Sequence, residues 1–191
     1  MKGLIEIEGF KEIFLFDVGN KTIILAENVN APQRYIAGEY EYNEIFEKIS
    51  NSVGSNDYLT AVEAYLKKCS EQLTWSKENI PKDMGVINPE DCSHIDYNTD
   101  LVGKVVALKL NSLRREYQSA DSQLCYVTGG NGARPNSIGR KIFITNLYTG
   151  EHYFTVRENI MGVVNKDKMP DWALKNLNAI KAKRDAERSD R

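Results

Sequence analysis

Residues 127–164 read VTGGNGARPNSIGRKIFITNLYTGEHYFTVRENIMGVV. No other stretch constrains the fold as tightly. A glycine-rich loop leads into two strand-like runs, 141–147 (KIFITNL) and 152–157 (HYFTVR), around Tyr148-Thr149-Gly150-Glu151. Gly150 supplies the left-handed residue that such a hairpin loop needs. In the first arm Ile142 and Ile144 share one face, and Phe143 and Leu147 share the other. A strand apolar on both faces suits a small barrel, or a sheet covered by helices, better than an open one-sided sheet.

The flanking sequence extends this β-rich unit. Residues 101–110 (LVGKVVALKL) predict a strand with Gly103 near its start. Residues 112–118 predict a helical turn, and residues 123–128 (QLCYVT) a second strand. A terminal helix is expected from Pro170, a residue suited to a first helical position. Ala173, Leu177 and Ile180 face inward by spacing, with Trp172 anchoring the start; the tail KAKRDAERSDR alternates in charge and is expected to be solvated.

The first half reads differently. Residues 13–17 and 21–27 are apolar runs around Gly19-Asn20, the pattern of a hairpin, and residues 33–42 are a third strand. Asn43 is placed to cap a short helix through Ile45, Phe46 and Ile49. Asp57 opens a longer helix, in which Leu59, Val62, Leu66, Cys69 and Leu73 form one apolar stripe and Trp75 closes the same face. Residues 76–100 hold Pro81, Gly85 and Pro89 without periodicity, which favours a boundary. The expected protein is therefore α+β. It comprises an acidic hairpin-plus-helices unit (1–76), a linker (77–100) and a basic unit (101–191), small, β-barrel-like and capped by a helix.

Charge divides the same way. Residues 1–100 carry 9 basic and 18 acidic side chains, whereas residues 101–157 carry 8 and 3. No apolar run approaches the ~18–20 residues that span a bilayer, and Glu6, Glu8 and Glu12 interrupt the start in a way foreign to a signal peptide. A cytoplasmic protein with no membrane partner is expected. Cys69, Cys92 and Cys125 lie far apart, as do His94 and His152, so neither a disulfide framework nor a metal site is predicted, and no cofactor is implied.

The loop GGNGARPNSIGR, with Arg134, Arg140 and Lys141, could cradle a phosphate, but it matches no nucleotide fingerprint and leads into a strand rather than a helix. Asp121, Cys125 and His152 have the residue types of a nucleophile set without supporting spacing. Lys104, Lys109, Arg114, Arg115, Arg134, Arg140, Lys141 and Arg157 accompany Tyr117, Tyr126, Tyr148, Tyr153 and Phe154, a composition that nucleic-acid binding requires and that a charge-balanced fold also produces. Glu39, Glu41, Glu44 and Glu47 read either as a docking face for a basic groove or as an ordinary solvated face.

A further signal comes from the motifs Leu101-Val102-Gly103-Lys104-Val105-Val106, Ala120-Asp121-Ser122-Gln123-Leu124, Gly129-Gly130-Asn131-Gly132 and Gly139-Arg140-Lys141-Ile142-Phe143. With them go Asn146-Leu147-Tyr148-Thr149-Gly150-Glu151, Ile160-Met161-Gly162-Val163-Val164 and Met169-Pro170-Asp171-Trp172. Across residues 101–173 the chain resembles uncharacterised accessory proteins of conjugative elements, plasmids and phages of Gram-positive gut bacteria. Ile24-Leu25-Ala26-Glu27 and Asn30-Ala31-Pro32-Gln33 extend the likeness loosely into the first half. The resemblance brings no catalytic residue. It implies a mobile-element accessory protein, a setting in which small proteins antagonise host defence, anti-CRISPR inhibitors of Cas9 among them.

The expectation is thus a non-enzymatic binding protein that inhibits a nucleic-acid-dependent defence effector such as Cas9 with its guide RNA. The alternative is a DNA- or RNA-binding accessory of conjugation or replication. The candidate contacts are Asn131, Arg134, Arg140 and Lys141 on the glycine-rich loop, Tyr148 and Glu151 at the hairpin tip, and Arg114 and Arg115.

Overall fold

The computed structural model describes residues 5–42, 46–82 and 84–189, without the side chains of 185 and 187–189. The chain forms two compact units, Met1–Ile80 and Pro81–Arg191. Both strands and helices build it, as an α+β fold requires.

The first unit is an antiparallel meander of β1 (Glu6–Ile7), β2 (Phe10–Val18), β3 (Lys21–Glu27), β4 (Tyr35–Tyr42) and β5 (Glu47–Ser55), ordered as in the sequence. β1 returns against β5, so the sheet curls. The β2–β3 turn holds Gly19 at φ 59°, the left-handed geometry expected of it. The short helix expected around residues 43–49 is not formed where the chain is described. Asn43 and Ile45 lie outside the described residues, and from Glu47 onward the chain is strand, with Glu47 opposite Tyr42 and Ile49 opposite Tyr40. Three apolar residues in one turn are too few to specify a helix, and the edge of β4 takes Ile49 into a ladder instead.

Helix α1 (Tyr58–Asn79) begins where Asp57 predicts, and the Asp57 carboxylate accepts from the Thr60 amide at 2.7 Å. Its buried face differs from the predicted stripe. Ala61, Tyr65, Gln72 and Ser76 are buried, whereas Leu59 and Leu66 are 74% and 59% exposed. Val62 and Cys69 are half-buried at the margin of a core of Ile23, Leu25, Ala37, Ala61 and Tyr65. The reason is the β2–β3 turn. Gln72 donates to the Asn20 side chain at 3.1 Å, and a Cβ on Gly19 would lie 2.3 Å from Ser76 Oγ. So close a turn demands small and polar helix residues, and it rotates the leucines outward.

The second unit has six strands: β6 (Cys92–Ser93), β7 (Val105–Leu108), β8 (Leu124–Gly129), β9 (Lys141–Asn146), β10 (His152–Val156) and β11 (Ile160–Val164). They pair antiparallel in the order β10-β9-β8-β7-β11-β6. β10 and β11 stand four places apart in that order. A flat sheet would separate them by roughly 19 Å at ~4.8 Å per strand. Only the turn Arg157–Asn159 joins them, and a 3-10 turn advances ~2 Å per residue. The sheet must therefore curl on itself, as a barrel-like unit does, although among the described residues no ladder closes β10 onto β11.

Two cores lie on opposite faces of this sheet. Ala173 and Leu177 of α3 (Asp171–Ser189) pack with Ala107, Leu124 and Leu147 on one face, and Leu101, Val106, Cys125, Val127, Ile142, Ile144 and Ile160 fill the other. The predicted strand 101–110 shortens to β7, because Gly103 at φ 77° turns the chain before it. The segment predicted as a linker (77–100) is divided. Its start completes α1, and its remainder belongs to the second unit: Ile87 is buried there, β6 pairs with β11, and the Asn165 amide donates to the Asp91 carbonyl. Among the described residues no helix is long and apolar enough to cross a membrane.

Candidate functional site

The glycine-rich loop folds back on itself. Cβ atoms added at Gly130 and Gly132 would lie 2.4 Å from the carbonyl oxygens of Lys141 and Arg140, and one at Gly139 would lie 2.4 Å from the Asn131 side chain. These glycines serve close backbone approach, which only a residue without a side chain permits. The loop leads into β9 rather than into a helix, so it does not form a helix-terminal anion cradle.

A second loop, residues 94–101, is stitched to the first. Tyr97 Oη donates to the Ser137 carbonyl at 2.7 Å, the Asn136 amide donates to the Tyr97 carbonyl, and the Leu101 amide donates to the Ala133 carbonyl. Arg157 joins both loops. Its guanidinium donates to the carbonyls of Asp96 (2.7 Å), Thr99 (3.0 Å), Gly132 (3.2 Å) and Arg134 (3.4 Å). Composition offers Arg157 to nucleic acid, but its donors are spent on holding the loops. Only a planar five-donor head could reach four carbonyls at once.

Between the loops lies an open groove of about 680 Å³. Ile95, Ile160 and Met161 give it an apolar floor. His94, Lys109, Arg140 and Glu158 contribute polar groups, and Ile138 stands at the rim, 97% exposed.

The predicted contact residues separate into two sets. Asn131, Arg134, Arg140 and Lys141 are exposed together on the loop and the first residue of β9. Tyr148 and Glu151 lie at the other end of β9, about 20 Å away along a strand that rises ~3.3 Å per residue. There Tyr148 packs edge-on against Trp172, at 5.5 Å between centroids. Arg114 and Arg115 are exposed on the β7–β8 connection, which leads into α2 (Ala120–Gln123). Further along the same connection, the Asn146 side chain donates to the Asp121 carbonyl. One continuous rim uniting all eight residues does not form.

Asp121, Cys125 and His152 are not brought together. Cys125 is fully buried on the face away from α3, where its Sγ lies 3.1 Å from Tyr153 Oη and burial pushes the thiol up to about 12. His152 Nδ1 meets Thr145 Oγ1 at 2.7 Å on the opposite face, and Asp121 accepts from Ser119 and Ser122. Among the described residues no group of three His, Cys, Asp or Glu side chains is placed to hold a metal ion. The acidic face of the first unit is partly neutralised. Glu39 pairs with Lys21 at 2.7 Å and Glu41 with Lys48 at 3.0 Å, while Glu44 lies outside the described residues.

Sequence reasoning missed Ile138, Tyr97 and Lys109 as groove residues and Arg157 as their organiser. An isoleucine in an otherwise polar loop was the available signal for the first; Arg157 acts over 23 to 61 residues of separation, which no local pattern reveals. In comparisons with known proteins, no family model, no curated protein and no solved structure matches this chain.

Proposed function

We propose that this chain is a binding protein without a reaction of its own, carried by a mobile genetic element. In this reading it inhibits a nucleic-acid-dependent effector of host defence, such as Cas9 with its guide RNA, in the host bacterial cytoplasm. The resemblance of residues 101–173 to mobile-element accessory proteins supports that setting.

The observation that carries the reading is Ile138. A branched apolar side chain is held almost wholly in solvent, at the rim of an apolar-floored groove, on a loop fixed by Arg157 and Tyr97. A pre-ordered loop loses little freedom on docking, and an exposed apolar anchor gains most when a partner buries it. Arg140 and Lys109 beside it supply charge to orient a partner with an acidic surface.

The test is DNA cleavage by guide-loaded Cas9 with increasing amounts of this protein, alongside a gel shift of DNA with the protein alone. Suppressed cleavage that Arg140→Glu weakens agrees with the reading. Unimpaired cleavage at large excess removes Cas9 as the target, and nucleic-acid binding without any effect on the effector favours the accessory role in conjugation or replication.

A further inference from the structure

We infer that the other face of the same sheet, beside the C-terminal helix, is a stacking surface for single-stranded nucleic acid. The register places Gly129, Phe143 and Phe154 side by side on β8, β9 and β10. Phe143 shares its face with Thr145, two residues on, and Thr145 pairs with Tyr126, which packs in the core beneath α3. Helix α3 covers this face over β7 and β8 but leaves the two phenylalanines 50% and 49% exposed. Nothing lies within 4 Å of where a Gly129 side chain would begin, so the rings border an open floor.

Cations frame that floor. Lys141 Nζ lies 4.5 Å from the centroid of the Phe154 ring. On the other side Lys181 and Arg184 lie over the Tyr126 ring, at 5.8 and 5.5 Å. Arg184 also donates to the carbonyl of Thr128, whose hydroxyl donates to the Phe143 carbonyl. Among the described residues no carboxylate comes within 4 Å of these three cations.

Exposed rings flanked by cations match a ligand that alternates flat apolar faces with negative charge. Bases and phosphates of a single strand do so, whereas a duplex turns its base faces inward against each other. The surface is distinct from the groove at Ile138, so either assignment can fail without the other.

The experiment is fluorescence anisotropy of the full-length protein with labelled fifteen-residue oligo(dT) and oligo(U), at several salt concentrations. Binding to at least one, with a log–log salt slope of about −2 for three phosphate contacts, is the expected result. Phe143→Ala and Phe154→Ala should each weaken it about tenfold. Gly129→Leu, which fills the floor while keeping both rings, should also weaken it, with an unchanged circular dichroism spectrum in all three. A duplex or poly-glutamate that competes as well as the unlabelled single strand would reduce the face to a general anion surface and overturn the inference. So would the absence of binding at low salt, or affinities that none of the three substitutions changes.

Discussion

Gln123 and Ile87 hold each other by a reciprocal pair of hydrogen bonds. The Ile87 amide donates to Gln123 Oε1 at 2.8 Å, and Gln123 Nε2 donates back to the Ile87 carbonyl at 3.1 Å and to the Leu108 carbonyl at 3.2 Å. Gln123 is fully buried. This exchange fastens a segment without regular structure to the sheet and makes it part of the second unit. Gln123→Leu fills similar space but strands three backbone groups, so it should cost about 2–4 kcal/mol, read from the urea midpoint. A loss below about 0.5 kcal/mol would mean that the segment is not held this way.

Arg157→Lys should loosen both loops, because an ammonium cannot span the four carbonyls that the guanidinium reaches. The expected outcome is faster amide exchange at Leu101, Asn136 and Arg134, with little change in β8. Uniform protection across the unit would contradict the clamp.

One buried and one half-buried thiol give the protein a base-sensitive limit. Burial raises Cys125 to about 12 and, with Asp91 adding to the effect, Cys92 to about 11, from an ordinary value near 9. Unfolded thiols release protons above pH ~9 while the folded ones hold them. Stability from this source is complete below pH ~9 and declines as pH rises toward 11–12. Cys125→Ala in a Cys92→Ala background should flatten that decline between pH 9 and 11 in denaturation curves. In native protein at pH 8, Cys125 should resist a thiol reagent that labels it fully in urea.

The turned face of α1 makes a comparative prediction. Tyr65→Ala removes a buried ring that packs 6.1 Å from Phe14 and should cost about 3 kcal/mol or more. Leu66→Ser, one residue along and exposed, should stay within about 0.5 kcal/mol. Equal costs would place the helix in the orientation that the leucine spacing suggested.

That contrast shows what the sequence carried. Hairpins were legible where turn chemistry and alternation agreed, as at Gly19 and Gly150, both of which adopt positive φ. The terminal helix was legible because Ala173 and Leu177 recur at helical spacing beneath one stripe. The face of α1 was not, since a polar contact between Gln72 and Asn20, 52 residues apart, outweighs the leucine pattern. Nor was β5, which is made by pairing rather than by its own propensity. At the site, the exposed arginines of the glycine-rich loop could be read from composition, but the groove could not. It exists because residues 94–101 pack against that loop, and their polar, aperiodic sequence resembles a linker. Nothing local tells Arg157, which organises the groove, from the exposed cations around it.

The central claim is that the stitched loop presents Ile138 and Arg140 to a protein partner. Surface plasmon resonance of immobilised guide-loaded Cas9, with the wild-type protein and an Ile138→Asp/Arg140→Glu double variant, tests it most directly. Loss of an apolar anchor and reversal of a charge predict an affinity at least about 100-fold weaker, with the variant's thermal unfolding unchanged. Equal affinities for the two proteins, or no measurable binding by the wild type at micromolar concentration, would contradict it.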